Sequence, residues 1–351
     1  MTPAIRMTLM AAVAAGAVMA LTQHRVYAQA ADPNAAPNPY KTEDNWAQLP
    51  AGRKWGAVIK VQVDHSDGKS IWTFDRCGGN SCANSMLAPI QKFDASGKFV
   101  RAFGTGMFNG PHGFYVDKDG NVWATDFQAK NGKGDVVVKF SPDGQVLMTL
   151  GKAGMPGNTQ DMFDEPSGVV VAPNGDFYVA DGHGGNTNDR IVKFNKEGKF
   201  LTAWGKHGKA QGEFNEPHGI ALDSTGRVFV ADRVNNRIQI FDPAGKFIAE
   251  WKQFGRPSDV AIDKNDNIYV ADSQSTAANN PGFKQGIRIG SVKDGKVTAF
   301  IPEPTDLAAG PEGVGVDDAG NVYGGWTAKM ALRRFVKSGT ASTTGAGTPN
   351  R

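Results

Sequence analysis

The sequence predicts an all-β chain: a six-bladed β-propeller made of four-stranded repeats. Three observations carry that expectation. A strand opening on Pro-X-Gly or Pro-X-Asp recurs, a second strand ending in Asp follows it, and the units start roughly 40 to 55 residues apart. The 44 glycines in 351 residues suit many short strands joined by tight turns.

Five units align directly. They are Gly110-Pro-His-Gly-Phe-Tyr-Val-Asp117, Glu165-Pro-Ser-Gly-Val-Val-Val-Ala172, Glu216-Pro-His-Gly-Ile-Ala-Leu-Asp223, Arg256-Pro-Ser-Asp-Val-Ala-Ile-Asp263 and Gly310-Pro-Glu-Gly-Val-Gly-Val-Asp317. A turn such as Lys118-Asp-Gly-Asn121 separates each from a second strand such as Val122 to Asp126, Phe177 to Asp181, Val228 to Asp232 or Ile268 to Asp272. Third strands read Arg190-Ile-Val-Lys-Phe194, Arg237-Ile-Gln-Ile-Phe241 and Val137-Val-Lys-Phe140; fourth strands read Phe200 to Trp204 and Phe247 to Trp251. Period-two alternation cut by Gly-containing turns is the pattern of an antiparallel blade. A more divergent unit comes first, with strands at Val58 to Asp64, Ser70 to Asp75 and Ile90 to Phe93. Six units close a ring and leave no unprotected sheet edge.

The flanks read differently. Arg6, the apolar run Met7 to Leu21 and the small residues of Ala28-Gln-Ala30 form an export signal with cleavage after Ala30; an uncleaved anchor is the alternative. Residues 31–50 are expected to be a flexible leader, 51–337 the propeller, and 338–351 a disordered tail. Arg6 and Arg25 fall in the signal, so the formal net charge of +3 drops by two on cleavage. A nearly neutral mature chain has no electrostatic footprint for nucleic acid. No stretch of the body is long and apolar enough to span a bilayer, and a monomer is the default expectation. The only two cysteines, Cys77 and Cys82, flank a glycine-rich turn. In an oxidising compartment they are expected to pair, a free or metal-binding pair being the alternative.

Because repeats supply their own control, departures at equivalent positions point to a site. The residue after the motif proline rings one mouth of the channel and reads His112, Ser167, His218, Ser258, Glu312. Two imidazoles and a carboxylate make a candidate metal set, with open positions for water or substrate; a water-filled polar mouth is the bland reading. The residue after the second-strand Asp reads Arg76, Phe127, Gly182, Arg233, Ser273 and, less regularly, Trp326. Arg76 and Arg233 there can clamp a carboxylate, or instead pair with the neighbouring Asp75 and Asp232. His183, in a Gly- and Asn-rich loop, is a candidate general base or further ligand, or a plain surface histidine. His65 and His207 receive no role.

The stretch Trp204 to Asp223, continuing through Asp232 and Asn236 to Phe241, resembles an NHL repeat over its whole length, and the likeness runs from about Trp55 to Phe335. With its site residues, the chain resembles the peptidyl-α-hydroxyglycine α-amidating lyases. That resemblance implies zinc, or another divalent transition metal, held by three histidines at the channel mouth, a structural calcium, and cleavage of a C-terminal α-hydroxyglycine to a peptide amide and glyoxylate. His112 in Gly-Pro-His-Gly and His218 in Glu-Pro-His-Gly match two metal histidines, and Arg76 and Arg233 match the two active-site arginines. The third metal histidine falls on Glu312, a calcium-binding aspartate on Gly313, and the catalytic tyrosine on His183. The expected metal set is therefore His112, His218 and Glu312, with Arg76, Arg233 and His183 catalytic and a small carboxylate or peptide C-terminus as substrate. A non-catalytic binding propeller and a metal-dependent lactonase are the rival readings.

Overall fold

The computed structural model describes residues 32–185, 187–303 and 310–338. The export signal expected at 1–30 and the tail beyond Ser338 lie outside them. The first blade is β2 (Val58–Val63), β3 (Ile71–Asp75), β4 (Ile90–Phe93) and β5 (Phe99–Phe103); the second is β6 (Pro111–Val116), β7 (Val122–Asp126), β8 (Val136–Phe140) and β9 (Val146–Gly151). The third is β10 (Pro166–Val171), β11 (Phe177–Asp181), β12 (Arg190–Phe194) and β13 (Phe200–Trp204); the fourth is β14 (Pro217–Leu222), β15 (Val228–Asp232), β16 (Arg237–Phe241) and β17 (Phe247–Trp251). The fifth is β18 (Pro257–Ile262), β19 (Asn267–Asp272), β20 (Gly286–Ser291) and β21 (Val297–Pro302). The sixth joins β22 (Gly313–Val316), β23 (Val322–Trp326) and β24 (Ala331–Lys337) to β1 (Tyr40–Asp44) from the amino-terminal end. Each innermost strand packs on its two neighbours, and β2 meets β22, so the ring is closed.

Strand β1 corrects the sequence reading. Tyr40–Asp44 is no flexible leader but the outermost strand of the sixth blade, antiparallel to β24 with Tyr40 opposite Lys337. Its predecessors are tied down too: Lys284 N and Arg288 Nη2 donate to Asn34 Oδ1, and Phe300 N donates to Pro37 O. The composition of 31–39 misleads because the strand carries charged residues on its exposed positions, leaving Tyr40 alone to mark the buried face. Register also moves Trp326. Gly325 lies opposite Gly313, which puts Trp326 at the level of the aspartates rather than one residue past them.

Alternation explains the core. Among the described residues the buried apolar side chains fall into six clusters, each between two adjacent blades. In β11, Phe177 and Val179 point to the second blade while Tyr178 and Ala180 point to the fourth. Each large apolar side chain among them, such as Phe177 or Val179, contributes about 1.5–3 kcal/mol by leaving water. The recurrent Asp at the end of the second strand has a separate role. Buried Asp126 accepts from the backbone N–H of Asn109 and Gly110, Asp232 from Asn215, Asp181 from Asp164 and Asp75 from Gly56. These carboxylates satisfy the donors of the loop that leads into each innermost strand, and so fix where the residues after the motif prolines sit.

Candidate metal centre

Those loops bring three imidazoles together. His112 is the second residue of β6 and His218 the second residue of β14, with the third blade between them, and both are buried, 1% and 0% exposed. His112 Nδ1 lies 2.7 Å from the carbonyl of Ser167, and His218 Nδ1 lies 2.5 Å from that of Ser258. A carbonyl can only accept, so both Nδ1 atoms carry the proton and both Nε2 lone pairs face the channel. This is the outer hydrogen bond that holds metal-ligating histidines. The third ring is His183, whose centroid lies 4.5 Å from that of His112 and 5.1 Å from that of His218. One ring nitrogen from each histidine falls within 4.8 Å of the others. Gly182 swings the chain over with φ +146°, and a Cβ there would lie 2.7 Å from Asp189 N.

Burial lowers the pKa of all three well below the usual histidine value. For His112 the competing ring of His183 and the cations Arg76 and Lys60 add to it, and for His218 Arg233 is the leading neighbour. The rings are therefore neutral at pH 7, with lone pairs free to coordinate. His218 Nε2 is buried without a hydrogen bond, yet Glu312 Oε1 sits 3.2 Å away. Arg233, whose Nη1 lies 3.2 Å from that oxygen, relieves the repulsion between lone pair and carboxylate. Three neutral imidazoles with converging nitrogens fit a nitrogen-preferring divalent transition metal.

The third nitrogen beside His112 and His218 belongs to His183, read from the sequence as a base or a further ligand, while Glu312, expected as a ligand, is outside the set of three mutually converging donors. The reason is competition: Arg233 Nη1 donates to Glu312 Oε1 at 3.2 Å, and Ser273 Oγ donates to Oε2 at 2.8 Å. The calcium implied by the resemblance does not fit. Gly313 offers no carboxylate, and a Cβ there would lie 2.4 Å from Ile59 O. On the axis, buried Lys60 instead pairs with Asp259 across from it, and Val314 N donates to the other Asp259 oxygen. Lys60 and Asp259 occupy the level at which other blades carry Gly113, Gly168, Gly219 and Gly313. The motif Pro-Ser-Asp in the fifth blade was the visible signal for half of that pair.

The two arginines differ. Neither takes the Asp beside it, since Asp75 pairs with Arg53 and Asp232 with Arg237. Arg233 is closed between Glu216 Oε2, which accepts from Nε and Nη2, and Glu312. Arg76 donates from Nε to Pro111 O and from Nη1 to Asn80 Oδ1, and its guanidinium lies 5.0 Å from the Phe127 ring centroid. Burial brings its pKa down to about 10, so it stays charged at pH 7. Its Nη2 has no hydrogen bond among the described residues. Phe127 stands 5.2 Å from His112 and 4.6 Å from His183, forming an apolar wall. Glu216 was missed in the sequence. Its φ of +59°, where the second blade has Gly110, is a strained position with no one-letter signal. Cys77 and Cys82 form a disulfide. His207 binds Asp189, and His65 sits at the opposite channel mouth beside Tyr115, where a cavity of about 270 Å³ opens.

The model of the NHL repeat matches residues 163–194, 214–241 and 254–275, which lie in the third, fourth and fifth blades. The chain is an NHL-repeat propeller. It is 34% identical over 266 residues to peptidyl-glycine alpha-amidating monooxygenase B of Xenopus laevis, an alignment covering 68% of this chain and 29% of that one. It is 36% identical over 218 residues to human NHL repeat-containing protein 3, covering 60% of this chain and 59% of that one. With peptidyl-alpha-hydroxyglycine alpha-amidating lyase 1 of Drosophila melanogaster it shares 33% identity over 233 residues, 58% of this chain and 40% of that one. The chain thus spans less than two thirds of each of these relatives. Among solved structures, a streptogramin B lyase superposes with a TM-score of 0.54 at 16% identity, covering 84% of this propeller chain and 97% of that chain. A likeness at that identity speaks for the fold alone.

Proposed function

We propose that this propeller is an exported, metal-dependent carbon–nitrogen lyase that splits a peptidyl α-hydroxyglycine, or a related carbinolamide, into an amide and glyoxylate. The observation that carries the reading is the trio of neutral imidazoles of His112, His183 and His218, set beside Arg76 with its free Nη2. The names of the amidating relatives point the same way. The export signal at the amino-terminal end and the Cys77–Cys82 disulfide suit an oxidising compartment outside the cytosol.

His112, His183 and His218 would hold the metal, zinc by donor preference. A bound divalent cation supplies Lewis acidity to the substrate hydroxyl, lowering its pKa. Arg76 binds the carboxylate that departs with glyoxylate, through Nη2 and the remaining Nη1 proton. Phe127 screens that contact from water and so strengthens it. In the reaction the C–N bond breaks, the hydroxyl loses its proton as its oxygen becomes the aldehyde, and the amide nitrogen gains one. Proton and electron counts balance without a redox partner. Arg233 keeps Glu312 and Glu216 in place rather than meeting substrate.

The test is direct. Purified protein loaded with zinc is offered an α-hydroxyglycine peptide, and glyoxylate is assayed with the His112→Ala and His218→Ala variants alongside. One zinc per chain, lost in both variants together with glyoxylate release, is the expected result. Zinc-free wild type that releases nothing would leave a propeller that only binds, a reading favoured by Arg233 being already closed between two carboxylates.

A further inference from the structure

The loop after Arg76 is unlike its counterparts in other blades. It is a six-residue ring, Cys77 to Cys82, closed by the disulfide, with both sulfurs buried against the core between the first two blades. Asn80 stands inside that ring and accepts from Arg76 Nη1 at 2.8 Å. The ring is anchored on both sides. Ala57 N donates to Gly79 O, Cys82 N donates to Asn109 O, and Ser81 Oγ donates to the same Asn109 carbonyl. Asn109 immediately precedes Gly110-Pro111-His112, and Pro111 O accepts from Arg76 Nε. The guanidinium is therefore held at two corners. One comes from the strand that carries a metal-site histidine, the other from a loop that cannot unravel while the disulfide stands.

From this we infer that Asn80, held by the Cys77–Cys82 ring, is a positioning residue that aims Arg76 at the substrate carboxylate. The inference rests on the reading of Arg76 as the carboxylate-binding group. Its physical content is pre-organisation. A free arginine side chain must give up rotamer freedom when it binds, whereas one already fixed at Nε and Nη1 has given it up on folding. Because Asn80 is exposed, its single hydrogen bond is worth only a modest factor, about fivefold in affinity. Opening the ring frees Asn80 altogether, so the disulfide carries at least the same factor. A thiol reductant able to reach these sulfurs would then weaken substrate binding while leaving the imidazole set intact.

Glyoxylate serves as the probe, with its affinity for the zinc-loaded protein measured by titration calorimetry. Zinc content and melting temperature are read on the same samples. Asn80→Ala should weaken glyoxylate about fivefold with zinc content and melting temperature unchanged, and Asn80→Gln, which keeps an uncharged accepting oxygen, should recover part of the affinity. The Cys77→Ser/Cys82→Ser double variant should weaken it at least as much. Should that variant fail to fold, Asn80→Ala decides alone, since it leaves the disulfide in place. Wild-type affinity in Asn80→Ala overturns the inference. If Arg76→Ala binds glyoxylate as wild type does, or wild type binds none, the carboxylate reading falls and takes the inference with it. If the Asn80 pattern holds but no α-hydroxyglycine peptide is cleaved, the lyase reading alone fails.

Discussion

Arg76 and Arg233 stand at the same position of the repeat in the first and fourth blades, yet they end in opposite electrostatic states. Arg233 is sandwiched by Glu216 and Glu312, and its charge is spent inside the protein. Arg76 is steadied by a carbonyl, an amide and an aromatic face, none of which carries charge. The difference comes from the residue whose carbonyl accepts each arginine's own backbone N–H. For Arg233 in the fourth blade it is Glu216, and for Arg76 in the first blade it is Ala57. One arginine is thus a structural cross-link and the other an available cation, which repeat position alone does not reveal.

The sharpest way to break this comparison is Arg233→Ala. It leaves two carboxylates without their cation, one of them nearly buried, and should cost about 3 kcal/mol of stability in denaturant unfolding. Arg76→Ala leaves no buried charge behind. It should change unfolding little but lower kcat/KM for an α-hydroxyglycine peptide roughly a hundredfold, the scale of a lost charge-stabilising donor. If the two variants behaved alike in either assay, the division of labour would be wrong.

Acidity sharpens it further. The three histidines have pKa values lowered in the folded state, so the unfolded chain binds more protons as pH falls through about 6.5. Their contribution to stability is complete above that pH and is lost below it. Zinc-free protein should accordingly melt at a lower temperature at pH 5 than at pH 7. His218→Gln should flatten that slope, whereas bound zinc should raise the melting temperature without flattening it, since protons compete with the metal for the same nitrogens. The smallest expected effect is from Glu216→Gln, which removes one of the charges neutralising Arg233. Glyoxylate should bind that variant a few-fold more tightly, because a second cation then faces the mouth.

The blades were legible because tight turns and alternating strands write a strong local pattern, and the aspartates ending five of the second strands marked where their loops are pinned. The convergence of His112 with His218 was legible for the same reason, as equivalent residues of a ring must share an axis. His183 entered the cluster through a glycine-driven change of direction, which spacing does not encode. Glu312 missed its expected place because Arg233 and Ser273, distant in sequence, compete for its oxygens. Tyr40–Asp44 was hidden since an outermost strand needs only one apolar face residue. Lys60 was invisible as half of a pair whose other half lies 199 positions later.

The pairing of Tyr40 with Lys337 carries a consequence for biogenesis. Whatever emerges first from the ribosome must wait for almost everything else before its hydrogen bonds have partners, and contacts of such long span form slowly. Until then the sixth sheet lacks its outermost strand. Deleting Tyr40–Asp44 or Ala331–Lys337 should therefore damage one and the same sheet, and the two deletions should fail in the same way.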